Sequence, residues 1–168
     1  MIKLFYSGTY KVRHELINEN NVLEMLKDDI RSKIVGNVKD TVYASEGVVI
    51  KNNKNVIYIG GFYYENQEEG LSVCENVVKE ELNQIKRCDL LVANLTQYSA
   101  IATITELMYA AFIGKKIVIF CAPNITSYEV EKEYWFPIIT LKKLNKNVTI
   151  KYVNSEFEIV DYINNLKG

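Results

Sequence analysis

Two almost continuously apolar runs constrain the fold more than any other feature of this chain. Leu90–Leu95 and Lys116–Cys121 lack the alternation of apolar and polar residues that a strand with one wet face would show. Such strands are buried on both faces, as in a parallel sheet that helices cover on either side. Three further β-rich segments, at residues 2–6, 56–59 and 148–153, are predicted to join this sheet.

Apolar residues at helical spacing separate these strands, in segments 13–34, 72–87, 101–113, 127–135 and 156–166. The alternation predicts an α/β fold with a doubly wound, mostly parallel five-stranded sheet, flavodoxin-like or Rossmann-like. The stretch 41–59 contains either another strand of this sheet or a side hairpin that turns at residues 51–55. No linker or internal repeat interrupts the chain, so residues 1–168 are predicted to form a single domain.

Charge and composition exclude several classes of protein. The 168 residues include 20 basic and 21 acidic ones, whereas domains that bind nucleic-acid polymers carry a basic excess. A small nucleotide, which needs few donors, remains compatible with this balance. One histidine and three cysteines without C-x-x-C spacing form no zinc motif, so we predict no metal and no cofactor. Reduced cysteines and the lack of an apolar run of ~18 residues predict a cytoplasmic protein with no membrane partner.

A ligand of a parallel sheet binds beyond the carboxyl ends of its strands. Three predicted strand ends, at residues 6–10, 60–65 and 94–106, therefore contain the candidate binding residues. The three aromatic residues after the second end, Phe62, Tyr63 and Tyr64, could stack a base, although such a segment is also a common way to end a strand. Hydroxyls at the other two ends could hold a phosphate, although each also fits an ordinary turn or cap. The candidates are Ser7, Gly8, Thr9, Gly61, Phe62, Tyr63, Asn94, Ser99 and Thr103.

Glu106 is the one charged residue between positions 90 and 114, in a predicted helix that is apolar almost all round. A buried carboxylate is costly unless it is paired or used in chemistry. One interpretation is a capping box, Thr103-x-x-Glu106, in which the glutamate bonds back to the start of its helix. The other is a catalytic carboxylate in a dry site.

Three segments around Glu106 resemble the nucleoside 2-deoxyribosyltransferase family in order and spacing. They are CDLLVANLT at 88–96, ATITELMYA at 102–110 and GKKIVI at 114–119. The family has an Asp that opens a buried strand, a helix start of the form Gly-Thr-x-x-Glu-x-Gly-x-Ala, and Gly-Lys before the next strand. Tyr6-Ser7-Gly8 is similar to its N-terminal Tyr-x-Gly substrate loop.

This resemblance implies roles for three residues in cleavage or transfer at the N-glycosidic bond of a nucleoside or nucleotide. Glu106 would be the nucleophile that attacks the sugar, Tyr6 would position it, and Asp89 would contact the leaving base. In family members that hydrolyse nucleotides, small hydroxyl residues hold the 5′-phosphate, and Ser7, Thr9 and Ser99 would do so here.

The sequence also departs from the family pattern. Ala100 stands where the family has a second aspartate, and Ala102 and Met108 replace glycines. Two other functions therefore stay open. One is a nucleotide-binding sensor without turnover, and the other is an NAD glycohydrolase that uses Glu106.

We also predict a homodimer or higher homo-oligomer. The family builds its sites between subunits, and the helix over 101–113 is apolar on more faces than one sheet can cover. In the alternative interpretation, residues 41–55 of the same chain cover this helix.

Overall fold

Six strands within the described residues form one sheet. The computed structural model describes residues 1–17, 47–61, 71–97, 100–122 and 125–168. The order across the sheet is β2-β3-β1-β4-β5-β6, and all neighbours are parallel except the antiparallel pair β2 and β3. The strands are β1 (Ile2–Ser7), β2 (Val48–Ile50), β3 (Asn53–Gly60), β4 (Leu90–Leu95), β5 (Lys116–Cys121) and β6 (Val148–Tyr152).

The five parallel strands follow the flavodoxin-like order 2-1-3-4-5 when they are counted along the chain. The predicted α/β class and mostly parallel sheet are therefore confirmed. The sheet has a sixth strand because β2 pairs with β3 as a hairpin at its edge. The described part of the segment 41–59 thus extends the main sheet, with its turn at residues 51–52. Residues 41–46 lie outside the described residues.

The five helices of the described residues are α1 (Tyr10–Leu16), α2 (Leu71–Arg87), α3 (Ile101–Phe112), α4 (Ile125–Leu144) and α5 (Phe157–Asn164). Two differ from the predictions. The helix predicted over 13–34 ends at Leu16, because Ile17 is extended with φ −124° and ψ 154°, and residues 18–34 lie outside the described residues. The predicted helix 127–135 continues through Pro137 to Leu144, although proline removes one backbone donor from the helix.

Alternating side chains of the strands build two cores, one on each face of the sheet. On β1, Leu4 and Tyr6 join a cluster with Leu16 of α1 and Ile159 of α5. Phe5 joins the opposite cluster, which includes residues of α2, α3 and α4. This two-sided burial explains why β4 and β5 have almost no polar residues. Among the described residues, no helix is long and apolar enough to cross a membrane.

The outer face of the helical layer has several exposed apolar side chains. On α3, Ile101 and Phe112 are 77% and 80% exposed, whereas Ile104, Met108 and Tyr109 pack partly against the core. On α4, which packs against α3, Trp135, Phe136 and Ile139 are exposed. The hairpin residues 48–55 lie in the sheet, so they do not cover α3.

Candidate functional site

The carboxyl ends of β1, β3 and β4 lie side by side, which brings the three predicted strand ends together. Phe5 of β1 is paired with Gly60 of β3, and Ser7 of β1 is paired with Ala93 of β4. The chain order reverses between β1 and β4, and this switch point is where sheets of this order bind ligands. We call this edge, with the side chains that meet there, the carboxyl edge.

Glu106 reaches the carboxyl edge from the second turn of α3. The hydroxyl of Ser7, which is buried, donates a hydrogen bond to Oε2 of Glu106. Side chains alternate along β1, so Ser7 faces α3 while Tyr6 faces α1 and α5. The contact that the resemblance assigned to Tyr6 is therefore made by Ser7.

The capping-box interpretation of Glu106 is wrong. The N-cap of α3 is Ala100, which makes no side-chain cap bond, and Thr103 is the third residue of the helix. Glu106 therefore lies too far along α3 to be the N3 partner of a capping residue. Thr103 itself is buried on α3.

Burial raises the pKa of Glu106 from 4.5 to about 7, and the hydrogen bond from Ser7 opposes this rise. The low-dielectric surroundings penalise the charged form, while the Ser7 hydroxyl stabilises it. Near neutral pH, the carboxyl group is therefore present in both forms. A carboxylate of this kind can attack as a nucleophile when ionised and donate a proton when neutral.

A second carboxylate, Glu156, lies at the same edge and is absent from the sequence-based candidates. Its Oε1 accepts hydrogen bonds from Thr9 Oγ1 at 2.5 Å and from Asn94 Nδ2 at 2.8 Å. The Oδ1 atom of Asn94 accepts from the backbone N–H and the hydroxyl of Thr96, which fixes the orientation of the amide. Glu156 follows the end of β6, so the rule that selected the other strand ends could also have found it.

Tyr6 is almost fully buried beside this second carboxylate. Burial raises its pKa to about 12, hydrogen bonds to Asn94 and Thr9 lower it, and the charge of Glu156 raises it further. Asn94 Nδ2 lies 3.4 Å from the Tyr6 hydroxyl. The phenol of Tyr6 therefore stays protonated at neutral pH and acts as a hydrogen-bonding group at the carboxyl edge.

Gly61 links β3, α1 and α2 through its backbone. Its carbonyl accepts hydrogen bonds from Tyr58 Oη at 2.9 Å and from Arg13 Nη1 at 3.0 Å, and its N–H donates to Glu81 Oε2 at 3.2 Å. Its φ is +86°, and an added Cβ would lie 1.8 Å from the carbonyl oxygen of Tyr6. Gly61 is therefore required by the backbone, and both of its polar groups are bonded within the protein.

Gly8 allows the loop after β1 to approach β4 closely. An added Cβ would lie 2.6 Å from both Asn94 Cβ and the Tyr6 hydroxyl oxygen. A side chain at this position would therefore displace the groups that hold Glu156.

Asp89 is not brought together with the other candidates. It precedes β4 and so lies at the amino edge of the sheet, where it is exposed and accepts the backbone N–H of Lys3 at 2.8 Å. A strand of six residues spans ~20 Å, so within one chain Asp89 is remote from Glu106. Its position agrees with the alternative role of a strand-start residue that caps neighbouring backbone. Phe62, Tyr63 and Ser99 lie outside the described residues.

The start of α3 is held by Tyr134 of α4. The Tyr134 hydroxyl accepts the backbone N–H of Ala100 at 2.8 Å and donates to the carbonyl of Gln97 at 2.9 Å. The bond from Ala100 satisfies one backbone N–H at the start of α3, which has no side-chain cap. The position of the helix that presents Glu106 thus depends on a neighbouring helix.

Comparisons with known proteins identify a shared fold. No family model and no curated protein matches the chain. The chain is similar to the solved structure of a CMP N-glycosidase, BcmB, from Clostridium botulinum, with 18% identity, a TM-score of 0.52, and coverage of 96% of this chain and 97% of that one. A conserved protein from Enterococcus faecalis V583 is 13% identical with a TM-score of 0.46, and 97% of each chain is covered. The first likeness establishes that this chain and an N-glycosidase have the same fold.

Proposed function

We propose that this protein cleaves or transfers at the N-glycosidic bond of a nucleoside or nucleotide, with Glu106 as the nucleophile. The observation that carries the proposal is the hydrogen bond from Ser7 to a partly buried Glu106 at the carboxyl edge. The likeness to a CMP N-glycosidase supports it, because that protein acts on an N-glycosidic bond and shares the fold.

The geometry suits a reaction in two displacements. The ionised Glu106 attacks the anomeric carbon, a carbon–oxygen bond forms, and the base leaves with the electron pair of the carbon–nitrogen bond. The leaving base takes up a proton. Water or a second base then attacks the same carbon and loses a proton, Glu106 leaves as a carboxylate, and the protons balance over the two steps. Two inversions at one carbon give net retention of configuration.

Ser7 has the part of a positioning residue in this scheme. Its hydroxyl holds one carboxylate oxygen of Glu106, which restricts the rotation of the carboxylate. The bond also favours the ionised form of Glu106, the form that attacks.

Release of free base from a panel of substrates tests the proposal. The pure protein is incubated with nucleosides, their 5′-monophosphates and NAD, and free base is measured by chromatography. Glu106→Gln is expected to abolish release while the protein stays folded. Glu75→Gln, which changes an exposed carboxylate on α2, is the matched control and should retain release.

The pH dependence adds a second readout. Because the nucleophile must be ionised, kcat/KM is expected to rise with pH through a midpoint near the Glu106 pKa of about 7. The proposal fails if no substrate of the panel yields free base, or if Glu106→Gln retains activity within a few-fold. Release from NAD alone would favour the glycohydrolase alternative.

A further inference from the structure

Two of the three hydroxyls expected to hold a phosphate, those of Ser7 and Thr9, are already engaged with carboxylates. The third, that of Ser99, lies outside the described residues. Ser7 donates to Glu106, and Thr9 donates to Glu156 at 2.5 Å. A hydroxyl has one proton to donate, so neither can also donate to a phosphate oxygen without losing its present bond. Each would also bring the phosphate next to a carboxylate.

The amide of Asn94 is engaged in the same way. Its Nδ2 donates to Glu156 at 2.8 Å, and its Oδ1 accepts from Thr96. Two donors therefore converge on one oxygen of Glu156, which is the arrangement that an ionised carboxylate accepts. The result is a negative charge held firmly at the switch point of the sheet.

Backbone donors just before α5 do not offset this charge. The N–H groups of Asn154 and Ser155 donate to Glu158 Oε1 at 2.8 and 3.1 Å, and the N–H of Phe157 donates to Ser155 Oγ at 3.2 Å. Lys11, the cation closest in sequence to Thr9, has its ammonium 4.9 Å from the centroid of the Phe157 ring. The backbone N–H groups of Asn154, Ser155 and Phe157 are thus bonded within their own segment and are not free to bind a phosphate.

We propose that Glu156 is a specificity-determining residue that selects nucleosides with an uncharged sugar over nucleoside 5′-monophosphates. This inference rests on the proposed function, which supplies the nucleoside as the ligand class. A carboxylate with unused lone pairs can accept a hydrogen bond from a sugar hydroxyl, and it repels a phosphate at the same place. This proposal opposes the sequence-based expectation that Ser7, Thr9 and Ser99 hold a 5′-phosphate, for the two of these residues that the structure describes.

The proposed preference for nucleosides over 5′-monophosphates is tested by measuring binding without turnover. Cytidine and cytidine 5′-monophosphate, and then deoxyadenosine and its 5′-monophosphate, are titrated calorimetrically into the Glu106→Gln protein. The nucleoside of each pair is expected to bind at least about tenfold more tightly than its 5′-monophosphate. Adding Glu156→Gln removes the charge but keeps an oxygen that accepts from Thr9, and it should lower this ratio about tenfold.

Asp161→Asn is the matched control for net charge, because Asp161 is an exposed carboxylate on α5, the helix whose N-cap residue is Glu156. Equal or tighter binding of the monophosphates overturns the inference and leaves the proposed function intact. An unchanged ratio in Glu156→Gln, or an equal change in Asp161→Asn, overturns the role of Glu156. If no member of either pair binds and the unmodified protein releases no base, both the inference and the proposed function fail.

Discussion

Replacing Glu106 by glutamine is expected to stabilise the folded protein at neutral and alkaline pH. Burial raises the pKa of Glu106 from 4.5 to about 7, so ionising this group costs more in the folded than in the unfolded chain. A tenfold change in proton affinity corresponds to about 1.4 kcal/mol, which makes the full cost about 3 kcal/mol. Glutamine has the same shape and can accept from Ser7, but it has no charge to desolvate.

The sign of the effect follows from proton binding. Between pH 4.5 and about 7, the folded state retains a proton on Glu106 that the unfolded state has lost. The free energy of unfolding of the unmodified protein therefore decreases as pH rises through this window. The glutamine of the variant does not titrate, so its contribution is constant with pH. The advantage of Glu106→Gln should be near zero below pH 4.5 and reach about 3 kcal/mol above pH 7.

Urea unfolding followed by far-ultraviolet circular dichroism at pH 5, 6.5 and 8 measures this difference. The unmodified protein, Glu106→Gln and the control Glu75→Gln are compared, and the dependence of the unfolding free energy on urea concentration should be the same in all three. Only Glu106→Gln should gain stability relative to the unmodified protein as pH rises. A variant that is less stable than the unmodified protein at pH 8, or a gap that does not depend on pH, would show that a partner stabilises the ionised Glu106.

Two further predictions concern the framework of the site and the outer surface. Gly61→Ala should lower the free energy of unfolding by at least about 2 kcal/mol, because the added Cβ would lie 1.8 Å from the Tyr6 carbonyl oxygen and the backbone φ is +86°. An unchanged midpoint of urea unfolding would contradict this geometry. The exposed side chain of Phe112 should lie in a subunit interface. Light scattering should therefore give the mass of at least two chains of 19.4 kDa, and Phe112→Glu should reduce the mass to that of a single chain without unfolding it. A monomeric unmodified protein would refute the predicted oligomer.

Structural features are best predicted from the sequence where burial produces a recognisable pattern of apolar residues. The strands β4 and β5 are visible because both of their faces are covered, and Glu106 is visible because it is the one charge in an apolar stretch. Asp89 shows the limit of matching by spacing. It comes before its strand, and the direction of the chain therefore places it at the amino edge.

Contacts between distant parts of the chain leave no such pattern. The strand-end rule could have selected Glu156 as a candidate, but not its partner, because the bond to Thr9 joins positions 147 residues apart. The alternation of β1 decides whether Tyr6 or Ser7 meets Glu106, but the face that α3 covers is a property of the packed structure. Gly61 could be predicted to end a strand, whereas its bonds to Arg13 and Glu81 could not.

Tyr134 connects the outer surface of the protein to the chemistry that we propose for its edge. Its hydroxyl holds the start of α3, and the next two residues of α4, Trp135 and Phe136, are exposed. A partner that shifted α4 would therefore move the helix on which Glu106 stands. Coupling free energies are reciprocal, so a ligand that fixes α3 would change the affinity of α4 for that partner by the same factor. The effect of self-association on ligand affinity, whether an increase or a decrease, could then be measured equally well as the effect of the ligand on self-association.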